Sequence, residues 1–125
     1  MSKVMVIDDE PFILMMIEDK LKKANIAVIT MRESRSAVEV IKREKPDLII
    51  LDWMMPEISG IDLCRILKSD SDLRDIPIFM LTAKGQDSDE QLGRRCGVTR
   101  YITKPFSPKA LLEMVQEITG NEKTR

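Results

Sequence analysis

The chain has 125 residues, which is the length of one compact domain and too short for two units that each need a core. Hydrophobic residues make up 43% and charged residues 33%, a balance that is typical of a folded globular chain and not of a disordered one. The formal net charge is -1, so no global positive field would draw the domain onto DNA or an anionic membrane. We therefore expect no direct nucleic-acid binding and no membrane association.

Histidine is absent, and this excludes more functions than any other property of the composition. Without imidazole the chain cannot build a Ser-His-Asp or Cys-His nucleophile system. The two cysteines, Cys64 and Cys96, are too few for a disulfide framework or an all-cysteine zinc site, and we expect free thiols in a reducing cytoplasm. Apolar runs such as residues 12–17 are too short to span a bilayer, and we expect no export signal.

Short apolar runs alternate along the chain with longer stretches in which apolar residues recur every three or four positions, as strands and helices would. Pro11 can start the first helix, because its missing N–H is not needed there. Ser34 is predicted to cap the second helix. The predicted strands are Lys3–Ile7, Ile26–Thr30, Leu48–Leu51, Ile76–Thr82 and Val98–Thr103.

Five predicted helices separate and follow these strands, which gives each parallel connection its crossover and predicts a doubly wound five-stranded parallel sheet with five helices. The fourth helix, residues 85–97, is the weakest, because Leu92 is its only large apolar side chain and Gly93 interrupts it. We expect low local stability there. The domain is predicted to span residues 1–120, with a polar tail over residues 121–125.

Polar side chains stand at the carboxyl ends of the predicted strands, where the working sites of such sheets lie. Three carboxylates held together repel one another and need a counter-charge, which a hard cation such as Mg²⁺ supplies. An aspartate can also attack phosphorus to form an acyl phosphate, while a lysine and a hydroxyl bind the phosphoryl oxygens. The edge is therefore suited to phosphoryl transfer without a histidine base. Its residues are Asp8, Asp9, Asp52, Thr82 and Lys104.

These residues belong to short motifs that occur in a fixed order along the chain. The motifs are Val6-Ile7-Asp8-Asp9-Glu10, Leu51-Asp52-Trp53-Met54-Met55-Pro56, Gly60, Leu81-Thr82-Ala83 and Lys104-Pro105-Phe106. Each is weak alone, but the ordered set resembles the receiver domain of two-component response regulators, the family of the chemotaxis response regulator, over essentially the whole chain. The resemblance implies a flavodoxin-like α/β fold with strand order 2-1-3-4-5.

The resemblance also implies a chemical role for the acids. Asp52 would accept a phosphoryl group from the phosphohistidine of a sensor histidine kinase or of a phosphotransfer protein. Asp9, Asp52 and the backbone carbonyl of Met54 would ligate Mg²⁺ or Mn²⁺, with Asp8 acting largely through a coordinated water. The domain would then be a phosphoacceptor that assists its own metal-dependent phosphorylation and dephosphorylation, and not an enzyme in the ordinary sense.

Three further positions would bind the phosphoryl group or respond to it. Thr82 is similar to the hydroxyl that moves toward the phosphoryl oxygen, and Lys104 to the lysine that pairs with the aspartate or its phosphate. Tyr101 occupies the aromatic switch position. The output face would be formed by the fourth helix, fifth strand and fifth helix, roughly residues 85–118, and would bind a downstream effector or form a homodimer. The implied location is the cytoplasm.

Two positions near the acceptor are predicted to tune dephosphorylation. Met54, two residues after Asp52, has no polar group to orient an attacking water, and Lys84 stands two residues after Thr82. The hypothesis is that the aspartyl phosphate is comparatively long-lived, which suits sustained output.

Several residues also have a purely structural interpretation. Asp8 and Asp9 could cap the first helix, Tyr101 could be ordinary packing, and Trp53 could fill a surface groove. These alternatives remain open from the sequence alone.

Rival functions differ in what they require of the same edge. A receiver-like module that binds partners without phosphorylation is the main alternative. A flavin-binding sheet is disfavoured, because acids repel phosphate unless a metal intervenes and no Ser/Thr/Gly-rich loop follows the first strand. A metal-dependent phosphatase of the aspartyl-phosphate class would want a second acid two positions after Asp52, where Met54 stands.

Overall fold

The protein forms a single five-stranded sheet in a computed structural model that describes residues 2–55, 57–83 and 96–120. All four strand pairings are parallel, and the strand order is β2-β1-β3-β4-β5. This confirms the predicted doubly wound, flavodoxin-like topology. The strands are β1 (Lys3–Ile7), β2 (Ala27–Met31), β3 (Leu48–Asp52), β4 (Ile78–Ala83) and β5 (Arg100–Lys104).

Helices connect the first four strands and, together with the C-terminal helix, cover both faces of the sheet. Most of the predicted fourth helix, residues 85–97, and the predicted tail, residues 121–125, lie outside the described residues. Within the described ranges, no helix combines the length and apolar content needed to cross a lipid bilayer. The described helices are α1 (Pro11–Lys22), α2 (Ala37–Glu44), α3 (Gly60–Lys68) and the C-terminal helix (Pro108–Thr119).

The core consists of two apolar layers separated by the sheet. Because successive side chains of a strand point to opposite faces, Val4 and Val6 enter one layer, whereas Met5 and Ile7 enter the other. The first layer is closed by α1 and the C-terminal helix, and the second by α2 and α3. All five residues of β3 are buried, as expected of a central strand. Both faces of the sheet are therefore filled, which leaves the strand ends for a functional site.

Strand boundaries differ from the prediction by one or two residues. Pro77 has no amide hydrogen to donate to the ladder, which explains why β4 begins after it. Four strands, β2 to β5, also end one residue later than predicted, so Asp52 and Lys104 are the last residues of their strands. The observed first residues that differ are Ala27, Ile78 and Arg100, against the predicted Ile26, Ile76 and Val98.

The predicted helix cap at Ser34 is wrong. Helix α2 begins two residues later than that cap requires, after Ser36. The Ser34 hydroxyl, which is fully buried, instead donates to the backbone carbonyl of Ile58 at 2.6 Å. Serine favours both caps and local turns, so the sequence could not distinguish a cap from this long-range contact. The bond ties the chain before α2 to the loop that follows Asp52.

Candidate functional site

Three carboxylates meet at the carboxyl edge of the sheet because their strands are neighbours in register. Ile7 of β1 pairs with Leu51 of β3, so the residues that follow them, Asp8 and Asp52, leave adjacent strands side by side. One carboxylate oxygen from each of Asp8, Asp9 and Asp52 lies within 4.8 Å of the others. Asp8 is fully buried, Asp52 is 5% exposed, and Asp9 is half-buried. Asp52, which is distant in the sequence, therefore joins the neighbouring Asp8 and Asp9 in one cluster.

The ammonium of Lys104 reaches this cluster from the end of β5. Its Nζ lies 3.0 Å from Asp8 Oδ2, 3.2 Å from Asp52 Oδ1 and 3.0 Å from Glu10 Oε1. The peptide bond between Lys104 and Pro105 is cis. One ammonium thus faces several carboxylates, and the edge keeps an excess of negative charge.

Burial and mutual repulsion shift the protonation of these groups. Burial, followed by the charge of Asp8, raises the pKa of Asp52 from 3.8 to about 6, and the ammonium of Lys104 offsets only part of this. Burial is also the main reason why the pKa of Asp8 is raised. Burial alone would lower the pKa of Lys104, but its hydrogen bonds to Glu10 and Asp8 outweigh that effect and the pKa is raised. The lysine therefore stays charged, and the acids are held in a state that a cation would stabilise.

The donor set of the edge fits a hard divalent cation. Asp8 Oδ2 is buried, and its charged partner is the ammonium of Lys104 at 3.0 Å. Clustered carboxylate oxygens are the ligands that Mg²⁺ prefers, and it needs only one or two of them. Asp8, Asp9 and Asp52 can therefore hold such an ion, whereas the predicted contribution of the Met54 carbonyl stays a prediction.

The predicted hydroxyl and aromatic residues lie on the two strands beyond Asp52. Leu81, which precedes Thr82, pairs with Asp52, so Thr82 reaches the same edge of the sheet, and it is 6% exposed. Tyr101 pairs with Met80 and packs against the apolar layer under α2 and α3. Because strand side chains alternate, Thr82 and Met80 share a face, and Thr82 and Tyr101 therefore lie on the same side of the sheet.

The residues after Asp52 divide between core and surface. Met54 is 63% exposed beside the acid cluster, whereas Met55 is buried. Trp53 is also buried, within the layer under α2 and α3, so its interpretation as the filler of a surface groove is wrong. Lys84, the second predicted tuning position, lies outside the described residues.

The turn between β1 and α1 decides between two interpretations of Asp8. Its Oδ1 accepts a hydrogen bond from the backbone N–H of Glu10 at 2.9 Å, and α1 has no side-chain cap. Asp8 therefore shapes the turn and does not cap the helix. Glu10, for which the sequence pattern predicts no role, adds a further carboxylate beside Lys104. The position of Glu10 two residues after Asp8, on the same turn, is the sequence feature that could have indicated this contact.

The fold and the site together define an α/β domain with a cluster of carboxylates, able to hold a cation, at the carboxyl end of a parallel sheet. The model of the response regulator receiver domain matches residues 4–116, and the chain belongs to that family. Receiver domains are phosphoacceptors of phosphorylation-dependent signalling, not classical enzymes, and they interact with kinases and effector domains.

Similar proteins agree with this assignment. The chain is 44% identical over 115 residues to the phosphate regulon transcriptional regulatory protein PhoB of Pseudomonas aeruginosa, covering 92% of this chain and 50% of that protein. It is 39% identical over 117 residues to the alkaline phosphatase synthesis transcriptional regulatory protein PhoP of Bacillus subtilis, covering 94% and 48%. A chemotaxis response regulator structure from Vibrio cholerae has a TM-score of 0.88 at 31% identity, covering 94% and 98%. The chain spans about half the length of the curated relatives it matches.

Proposed function

We propose that this domain is a signalling switch that accepts a phosphoryl group on Asp52 from the phosphohistidine of a sensor kinase or phosphotransfer protein. The observation that carries the proposal is the meeting of Asp8, Asp9, Asp52 and Lys104 at one edge of the sheet. The receiver domain is proposed to span residues 1–120, which include the matched residues 4–116. Its location in the cytoplasm stays a prediction.

In the proposed transfer, a carboxylate oxygen of Asp52 attacks the phosphorus of the donor. A P–O bond forms, the P–N bond to the histidine breaks, and the electron pair stays on the imidazole nitrogen. A pKa of about 6 leaves most of the Asp52 carboxyl ionised at neutral pH, as a nucleophile requires. Asp8, Asp9 and Asp52 would hold Mg²⁺ or Mn²⁺, whose positive charge would lower the repulsion between carboxylate and phosphoryl group.

Lys104 and Thr82 are the groups that would detect the product. The ammonium of Lys104 already contacts Asp52 Oδ1, so it can follow the charge when the Asp52 carboxylate becomes an acyl phosphate. The Thr82 hydroxyl, at the same edge, would donate to a phosphoryl oxygen. Because Tyr101 lies on the same side of the sheet as Thr82, a movement of Thr82 would change the packing around the ring. Phosphorylation would then shift the balance between two packings.

The proposed output face is formed by β5 and the C-terminal helix together with residues 85–97. Arg100 of β5 pairs with Glu117 of the C-terminal helix at 3.3 Å, so the two elements are linked by exposed charges. Such a face suits a downstream effector protein or domain, or a second copy of the chain.

The proposal is tested by incubating the full chain with acetyl phosphate, with Mg²⁺ or with EDTA, and measuring acid-labile phosphate and intact mass. We expect one phosphoryl group per chain with Mg²⁺, and none in Asp52→Asn. Asp9→Asn should raise the Mg²⁺ concentration that is needed, whereas Asp62→Asn, an exposed acid on α3, should leave it unchanged. Absence of phosphate in the wild-type chain with Mg²⁺ would favour the alternative function, an interaction module that works without phosphorylation.

A further inference from the structure

The two cysteines of the chain touch each other, which their positions in the sequence did not predict. Cys64 lies in α3, and Cys96 lies just before β5, 32 positions later. Their Sγ atoms are 2.6 Å apart, and both are free thiols. Both side chains pack in the apolar layer under α2 and α3. Two thiols that are distant along the chain are therefore held in contact by the fold itself.

We propose that Cys64 and Cys96 form a dithiol site that closes reversibly to a disulfide when the domain meets a small-molecule disulfide oxidant. A disulfide requires the two sulfurs to approach each other closely, and the fold already brings them into contact. The site is separate from the acid cluster, so the inference goes beyond the proposed phosphoryl transfer and does not depend on it.

Differences in exposure indicate which of the two cysteines reacts first with an oxidant. Cys96 is half-buried, whereas Cys64 is 0% exposed. Burial and the hydrogen bond with Cys96 raise the pKa of the Cys64 thiol, so it is a poor first nucleophile. Cys96 is the thiol that an oxidant in solution can reach, and Cys64 is the resolving thiol.

The proposed reaction is a thiol–disulfide exchange in two steps. The Cys96 thiolate attacks one sulfur of the oxidant, which forms a mixed disulfide and releases one small thiolate. The Cys64 sulfur then attacks Cys96 Sγ, which forms the internal bond and releases the second small thiolate. The protons lost by the two cysteines end on the two small thiols, so the oxidant is reduced by two electrons and the protein is oxidised by two.

The chain that follows Cys96 is anchored to neighbouring elements of the fold. Thr99 donates its backbone N–H to the Ile78 carbonyl at 2.8 Å, which anchors the chain at the start of β5. Gly97 adopts a φ of +101°, and a Cβ added there would lie 3.4 Å from the Lys68 side chain of α3. The chain before β5 therefore already runs alongside α3 at a second point. Closure would fasten this contact covalently, five residues before Tyr101.

The test uses the full chain in buffers with different ratios of reduced to oxidised glutathione, followed by acid quenching, alkylation and mass spectrometry. We expect the oxidised chain to lose two hydrogens, to retain no glutathione, and to yield a linked peptide pair containing Cys64 and Cys96. Cys96→Ala should remain largely unmodified, because Cys64 is buried. A persistent glutathione adduct on Cys96, a disulfide-linked dimer, or two alkylated thiols under oxidising conditions would overturn the proposal.

Urea unfolding of the oxidised and reduced forms provides a second, independent readout. A bond that closes a loop of 32 positions without strain should raise the urea midpoint by about 1 M or more, and dithiothreitol should reverse the rise. An unchanged or lower midpoint would show that the bond strains the fold and would refute the inference. Asp52→Asn should give the same shift, so failure of the phosphoryl-transfer proposal and failure of this one are distinguishable.

Discussion

Replacing Asp52 by asparagine should stabilise the metal-free domain, although it removes the proposed functional group. The raised pKa means that the folded protein keeps a proton on Asp52 to higher pH than the unfolded chain does. Below pH 3.8, the pKa of Asp52 in the unfolded chain, the carboxyl is mostly protonated in both states and does not reduce the free energy of unfolding. As the pH rises from 3.8 to about 6, the unfolded chain ionises first, and the free energy of unfolding falls.

The size of the effect follows from the pKa difference. A shift from 3.8 to about 6 corresponds to about 3 kcal/mol at pH 7, since each pKa unit is worth roughly 1.4 kcal/mol. At pH 5 about half of this penalty should be present, and at pH 4 it should be below ~1 kcal/mol. Asparagine keeps the shape of the side chain and cannot ionise. Asp52→Asn should therefore raise the free energy of unfolding of the metal-free domain by about 2–3 kcal/mol at pH 7 and by little at pH 4.

The assay is urea unfolding in EDTA between pH 4 and pH 7.5, repeated with Mg²⁺. The matched control is Asp19→Asn, whose side chain is 64% exposed on α1 and pairs with Lys23, and which should change stability by less than about 0.5 kcal/mol. Mg²⁺ should stabilise the wild-type chain more than Asp52→Asn, because binding to the folded state adds stability. The reasoning is refuted if the variant is less stable than wild type in EDTA at pH 7, or if the difference does not depend on pH.

Three further changes probe the architecture around the site. Gly60→Ala should destabilise the fold by more than about 2 kcal/mol in urea unfolding, because the added Cβ would collide with the Asp52 carbonyl oxygen and lie 2.9 Å from Trp53 Cα; wild-type stability would contradict this. Ser34→Ala should cost about 1–3 kcal/mol through the lost bond to a buried carbonyl, with the exposed Ser69→Ala as control, and equal losses in both variants would count against the argument. Met54→Asn should accelerate loss of the acyl phosphate, measured by acid-labile phosphate over time, and an unchanged lifetime would argue against a long-lived product.

The positions of the main site residues could be predicted because they depend on one general rule. Parallel strands place their carboxyl ends at the same edge, so residues at the ends of apolar runs meet whatever their separation along the chain. Asp8, Asp52 and Lys104 followed from this rule, and the structure brings them within hydrogen-bonding distance. The motif set then supplied the family.

Contacts between side chains of distant segments could not be predicted in the same way. Periodicity assigns a residue to a face of a helix or strand, but it does not say which residue of another segment will meet it. The contact of Cys64 with Cys96 and the burial of Trp53 both depend on how α3 and its neighbours pack. The attraction of Glu10 to Lys104 depends on the path of a turn, which the sequence does not specify.

The shared position of Lys104 affects how easily the edge of the sheet can rearrange. Its ammonium touches Asp8, Glu10 and Asp52 at once, so it stays hydrogen-bonded when any one of these partners is lost or altered. A buried ammonium with a single carboxylate partner would have to lose that partner before it could move, which is costly away from water. Lys104 can instead exchange one carboxylate partner for another by moving its ammonium a small distance. The ammonium of Lys104 therefore stays charged, and its change from one carboxylate partner to another requires little free energy.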